Sequence, residues 1–340
     1  MQECVLIFSL FVSISSNPIL NTTSGVYRGR LVRHENRTVE QFLGIQYAQI
    51  PRRFHRARLI EKQNEMMVNA TDFGPICKPV HGQCTIASNI TFCSLTYGIF
   101  SVNSLSVEQC LYLNIFKPTS QSNRKRAIFM WIHGGSGQIG TGNLFDGTIL
   151  AALGDLIVVT FNFRLNLYGF LSSGDERLEG NLGLYDQSLV LDWITRNIDA
   201  LDGDSQRITV GGHSAGAPHA YYLARSSFNQ GRIRRLILQS GCPFNIWSHL
   251  KSSQSALDKF QTIAKDNQCG TTRNFDEQFQ CLERKDFSQL VEYEHQAYSS
   301  ADHTNVVLTG DLMRNFHRDL QNNRTLNDID MLNGSNDDEG

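Results

Sequence analysis

The stretch "ITVGGHSAGA", residues 208–217, decides the fold. A β-branched run stops at Gly211 and Gly212, and Ser214 follows with Gly216 two places behind it. The run "RITV" (207–210) reads as a strand and "APHAYYLARS" (217–226) as a helix. That is the strand–turn–helix setting a G-x-S-x-G serine needs. Flanking glycines are required because neighbouring backbone comes too close for a Cβ. The turn lifts the Ser214 hydroxyl above a sheet edge and aims the next N–H, that of Ala215, where an oxyanion would form.

Outward from this turn lie further short apolar runs: "AIFMWI" (127–132), "LIVVTF" (156–161) and "RLILQ" (235–239). They are continuously apolar, as expected of strands buried on both faces of a mainly parallel sheet. Between them "DQSLVLDWITRNIDAL" (186–201) sets Val190, Trp193, Ile194 and Leu201 on one helical stripe. Strand alternating with helix means an α/β fold with crossover connections. The segment 78–109 has little periodicity and reads as a long disulfide-pinned loop.

A second motif, "WIHGGSGQIG" (131–140), directly follows an apolar strand. Its glycines free backbone N–H groups to face a tetrahedral oxyanion, each worth roughly 3–4 kcal/mol of barrier. A phosphate cradle is the other use of such a loop, but no G-K-[ST] follows and no dinucleotide fingerprint fits. No motif calls for a cofactor or a metal.

The 340 residues, 41% hydrophobic, suffice for one large domain or two modest ones. A net charge of −2 gives no global field to recruit nucleic acid or acidic membranes. The clusters "RKR" (124–126) and "RIRR" (232–235) read as solvated charge. Residues 1–16 read as a signal peptide, apolar from Cys4 to Ile14, with Ser13 and Ser15 placed as at a cleavage site. No other segment approaches the ~18 apolar residues of a membrane span. Eight cysteines and six N-x-S/T sequons, at Asn21, Asn36, Asn69, Asn89, Asn323 and Asn333, suit a secreted glycoprotein.

Taken together these residues resemble the type-B carboxylesterase/cholinesterase family of α/β-hydrolases. The blocks run in order: "FLGIQYAQIP" (42–51), "FGPIC" (73–77), "EQCLYLNIF" (108–116), "WIHGG", "NFRLNLYGFLSSGDE" (162–176), "GNLGLYDQ" (180–187), "GGHSAGA" and "LILQSG" (236–241). The resemblance implies an α/β-hydrolase with a central, mostly parallel twisted sheet flanked by helices. Residues 17–340 would form the N-terminal two-thirds of the domain, its C-terminal third missing.

It also implies Ser214 as nucleophile, an oxyanion hole from the N–H groups of Gly135, Ser136 and Ala215, and Glu339 as triad acid. Disulfides Cys77–Cys110 and Cys269–Cys281, ion pairs Arg53–Glu108 and Arg164–Asp186, and Trp247 as acyl-pocket wall follow from the same resemblance. The implied substrate is a small-molecule carboxylic ester, with no cofactor. Departures are His213 where the family has Glu, Ser136 for a third glycine, and Gln109 for Asp. The absence of Trp between Cys77 and Cys110 argues against a choline ester. Cys84 and Cys93 are candidates for a further bridge, which leaves Cys242 odd. His213 is expected to be packed or bonded away from the hydroxyl.

In α/β-hydrolases the triad follows the chain order Ser, acid, His. All ten histidines (34, 55, 81, 133, 213, 219, 249, 295, 303 and 317) precede Glu339. The sequence therefore reads as a secreted serine esterase lacking its base, or as a catalytically silent cholinesterase-like adhesion or binding protein. An unrelated secreted α/β binding module is the third reading.

Overall fold

The structure is a computed structural model. It describes residues 17–61, 66–78, 107–120, 124–245, 252–270, 274–287 and 328–337, the strand backbones within 84–102, and isolated positions elsewhere. Residues 1–16, read above as a signal peptide, lie outside the described residues.

The chain opens with short strands β1 (Ile19–Thr22), β2 (Gly25–Arg28) and β3 (Arg30–His34), then the long β4 (Arg37–Gln46). After β5 (Ala48–Gln49), β6 (Arg58–Leu59) and β7 (Met67–Asn69) come β8 (Cys84–Ala87), β9 (Ile90–Leu95) and β10 (Gly98–Val102). The core alternation begins at β11 (Tyr112–Pro118) and β12 (Arg126–Ile132) and continues through α1 (Thr148–Gly154), β13 (Ile157–Phe161), α2 (Asn166–Phe170) and α3 (Leu182–Arg196). It proceeds through β14 (Gly203–His213), α4 (Gly216–Arg225), β15 (Arg235–Gln239), α5 (Ser253–Asp266), α6 (Phe275–Arg284) and β16 (Asp330–Gly334).

Eight strands form the central sheet in the order β16-β15-β14-β12-β13-β11-β4-β3. Pairing is parallel from β16 to β13 and antiparallel from β13 through β3. The sheet is thus mixed, its parallel half carrying the crossovers. Val190, Trp193 and Ile194 of α3 and Ala217, Ala220 and Leu223 of α4 join the main core with Met130, Val159 and Val210. Val158, one residue from Val159, belongs instead to the cluster under Ala151 and Ala152 of α1. The period of two therefore puts α3 and α4 on one face and α1 on the other.

This explains a departure from the sequence reading. Strand β13 is buried at every residue, whereas β12 and β15 alternate between buried and partly exposed. On α1's face, α1 packs over β13, β11, β4 and β3. Among the described residues no helix covers β14 and β15 on that side.

Two other expectations need correction. The segment read as a loop contains β8, β9 and β10, an antiparallel three-stranded sheet whose register sets Cys84 opposite Cys93. Its runs are β-branched and aromatic but too short for periodicity to register. In the "RKR" cluster, Arg126 is not solvated. It is buried, and its guanidinium bonds Asp155, Asp202 and the Ser120 hydroxyl.

Disulfides join Cys77 to Cys110 and Cys269 to Cys281, the second tying the end of α5 to α6. Closing such loops typically contributes about 2–4 kcal/mol. Cys242 is free. Asn21, Asn36, Asn69 and Asn333 are exposed, while Asn89 and Asn323 lie outside the described residues. No described helix is long and apolar enough to cross a membrane.

Candidate active site

Strand β14 ends in a turn that no ordinary residue pair could make. A Cβ on Gly212 would lie 2.1 Å from the Gly216 carbonyl oxygen, and one on Gly216 would lie 2.3 Å from that of Ile132. Ser214 sits between them with φ 52°, in the left-handed region, and α4 starts two residues later. Such a conformation costs a side-chain-bearing residue of order 1–3 kcal/mol and persists only where its surroundings fix it. They do so here: the Ser214 N–H donates to Gln239 O at 2.9 Å, and its carbonyl accepts from Ala217 N at 3.0 Å.

The loop after β12 comes up against this turn. A Cβ on Gly134 would be 3.1 Å from Ser214 Cβ. Gly135, Ser136 and Gly137 all have positive φ, at 114°, 57° and 67°. The Gly135 carbonyl turns back to accept from Gln138 N and Ile139 N, and Gly137 O accepts from Asn166 N. The N–H groups of Gly135, Ser136 and Ala215 donate to no acceptor among the described residues. Successive amides in such a turn form a concavity that favours an anion. The Ser214 hydroxyl likewise has no hydrogen bond among those residues.

Beside the loop lies a pair of buried histidines with no signature in the local sequence. His133 stacks on Phe163 with ring centroids 4.5 Å apart, and its Nδ1 donates to Gly134 O at 2.8 Å. His219, on α4, hydrogen-bonds Gln187 Nε2 through its own Nδ1 at 3.0 Å. Burial lowers the pKa of His133 to about 4. Burial, with His133 nearby, lowers that of His219 to about 3. Both rings are neutral at physiological pH, and His133 ties the loop down through Gly134 O. Nothing in the local sequence marks them, because the pair forms between two distant motifs.

His213 differs from the expectation. It is exposed, and its Nδ1 is 3.2 Å from where a Gly134 Cβ would be, so the ring faces the loop. It makes no hydrogen bond with Ser214. Glu339 and Trp247 lie outside the described residues. The strand before Glu339 is in place: β16 runs parallel to β15, and Gly334 O accepts from Ser240 N at 2.8 Å. The chain thus leaves β16 on the edge where β14 and β15 end.

The Carboxylesterase family model matches residues 16–340. The chain belongs to the carboxylesterase family. Its fold is the α/β-hydrolase fold, with a large mixed sheet and flanking helices. Similar proteins include mouse neuroligin-2, 33% identical over 95% of this chain and 41% of that protein. Mouse bile salt-activated lipase is 41% identical over 50% of the chain and 29% of its own length. Acetylcholinesterase-1 of Trittame loki is 33% identical over 67% of the chain and 40% of its length. The chain spans less than half the length of these relatives.

Within this carboxylesterase-family fold two ion pairs tie together segments distant in sequence. Arg164 makes a bidentate pair with Asp186, at 2.8 and 2.7 Å, with both residues buried. Arg53 grips Glu108 at 2.7 and 3.0 Å and reaches back to Leu282 O. The departure at Gln109 also has a structural reason. Its amide accepts from Ile50 N at 3.0 Å and donates to Ile50 O at 2.7 Å. A carboxylate could not make the second bond.

Proposed function

We propose that this chain carries the nucleophile and oxyanion hole of a secreted serine hydrolase of carboxylic esters. The observation that carries the reading is the meeting of a left-handed Ser214 with three uncommitted N–H groups, those of Gly135, Ser136 and Ala215. In this reading Ser214 Oγ attacks the ester carbonyl carbon and its proton passes to a base. The three amides hold the resulting oxyanion, and the tetrahedral species then collapses with loss of the alcohol to leave an acyl-serine. Water releases the acid by the same route in reverse. Glu339 would orient the base, and Trp247 would wall the acyl group.

The base has no candidate within the sequence in the expected chain order, since no histidine follows Glu339. The 340 residues by themselves are therefore expected to be inactive, because a serine without its base keeps only roughly 10³–10⁴ of rate over water. The four exposed sequon asparagines and the two disulfides support a secretory route.

A second reading is a silent adhesion or binding protein that retains the turn. Similarity to neuroligin-2 over 95% of the chain favours it. The test is hydrolysis of a short-chain aryl ester. The purified chain is compared with the same chain extended by the C-terminal segment of bile salt-activated lipase. Activity in the extended chain alone, abolished by Ser214→Ala, supports the esterase. A cooperatively folded extended chain without activity supports the binding protein.

A further inference from the structure

Helix α1 is inverted. It buries Thr148, Ala151 and Ala152 against the sheet, while Ile149, Leu150 and Leu153 are 55%, 45% and 55% exposed. At helical spacing those three lie within one 100° arc, so they form a single aliphatic patch facing outward. Exposed patches of this kind mark a contact surface or an aggregation liability. Three half-exposed side chains fall well short of the ~800 Å² per partner that a stable dimer buries.

The β3–β4 hairpin packs against the same helix. Glu35 takes a positive φ of 52° at its tip, and the exposed Asn36 follows in the sequon Asn36-Arg37-Thr38. Arg37, inside that sequon, reaches across to the C-terminal end of α1. Its Nη1 donates to the carbonyls of Ala152 and Leu153, the latter at 3.0 Å. The sequon is thus fastened to the end of the helix on which Leu153 sits.

We propose that Asn36 carries an N-linked oligosaccharide whose inner sugars cover the aliphatic face of α1. The proposal rests on the secretory reading above and is independent of catalysis. The donor is a lipid-diphosphate-linked oligosaccharide. The Asn36 Nδ2 bonds to C1 of the first sugar as that carbon's bond to the diphosphate oxygen breaks. The lipid diphosphate leaves with the electron pair, and the amide proton passes to a base. A bulky, polar glycan anchored at the hairpin tip would screen Leu153 and Ile149 from other proteins.

The experiment secretes the 340-residue chain from cultured insect cells. Glycopeptide mass spectrometry reads occupancy at Asn21, Asn36, Asn69 and Asn333, and dye (ANS) fluorescence with light scattering reads exposed apolar surface. Asn36 is expected to be occupied. Enzymatic removal of glycans from the folded protein, or Asn36→Gln, should raise dye emission and scattering several-fold, whereas Asn21→Gln should not. Adding Leu150→Glu and Leu153→Glu to Asn36→Gln should restore the glycosylated values. An unoccupied Asn36 beside other occupied sequons overturns the proposal alone; no occupied sequon at all overturns the secretory reading with it. Unchanged dye binding after deglycosylation, or no rescue by the two glutamates, overturns the shielding role.

Discussion

Gly212 and Gly216 face each other across the Ser214 turn so closely that a Cβ on the first would lie 2.1 Å from the carbonyl oxygen of the second. The two glycines let the backbone close, and Ser214 takes up the left-handed strain that results. The residue proposed as nucleophile is thus a local cost to stability. Ser214→Gly should therefore stabilise the chain by about 1 kcal/mol, because glycine adopts that conformation freely. Gly212→Ala should destabilise it by several-fold more. Urea unfolding of the three proteins at one pH checks both signs.

The buried histidines set an acid limit. Unfolded, each ring titrates near the ordinary histidine value of about 6.5. Folded, His133 and His219 titrate at about 4 and about 3. Between about pH 6.5 and these values the unfolded chain binds more protons, so stability falls as pH falls through that window. His133→Phe and His219→Phe should each flatten the slope of unfolding free energy against pH between 6.5 and 4. Urea midpoints measured across that range read the effect, and unchanged slopes would contradict the burial of the pair.

Gln109 replaces a family carboxylate and uses both halves of its amide on Ile50. Gln109→Glu keeps the acceptor and removes the donor, turning an attraction to Ile50 O into a repulsion. A loss of about 1–3 kcal/mol is expected. Thermal unfolding at neutral pH and near pH 4 checks this, since protonating the glutamate should recover part of the loss.

What the sequence reveals here depends on how local the cause is. Strand β15 matches the run "RLILQ" residue for residue, because a short apolar run bounded by polar residues is a local signal. The turn at Ser214 and the loop at 134–137 were legible for the same reason. Each needs glycines at fixed offsets. Arg126 reads as solvated in the sequence because its partners Asp155 and Asp202 come from other segments, and only the fold brings them to it. The His133–His219 pair has no local signature either, since α4 and the loop after β12 meet only in three dimensions. The alternating burial of β12 was not readable from its apolar run, because it depends on where α1 lies.

The most direct test of the central claim is to trap the acyl group on Ser214. The chain extended with a relative's C-terminal segment is mixed with a short-chain aryl ester, quenched in acid and digested. Mass spectrometry should find the acyl increment on the peptide carrying residues 208–217, and Ser214→Ala should abolish it. The 340-residue chain should show none on the same timescale. Acylation at another residue, or none in an extended chain that unfolds cooperatively, would contradict the assignment of Ser214 as nucleophile.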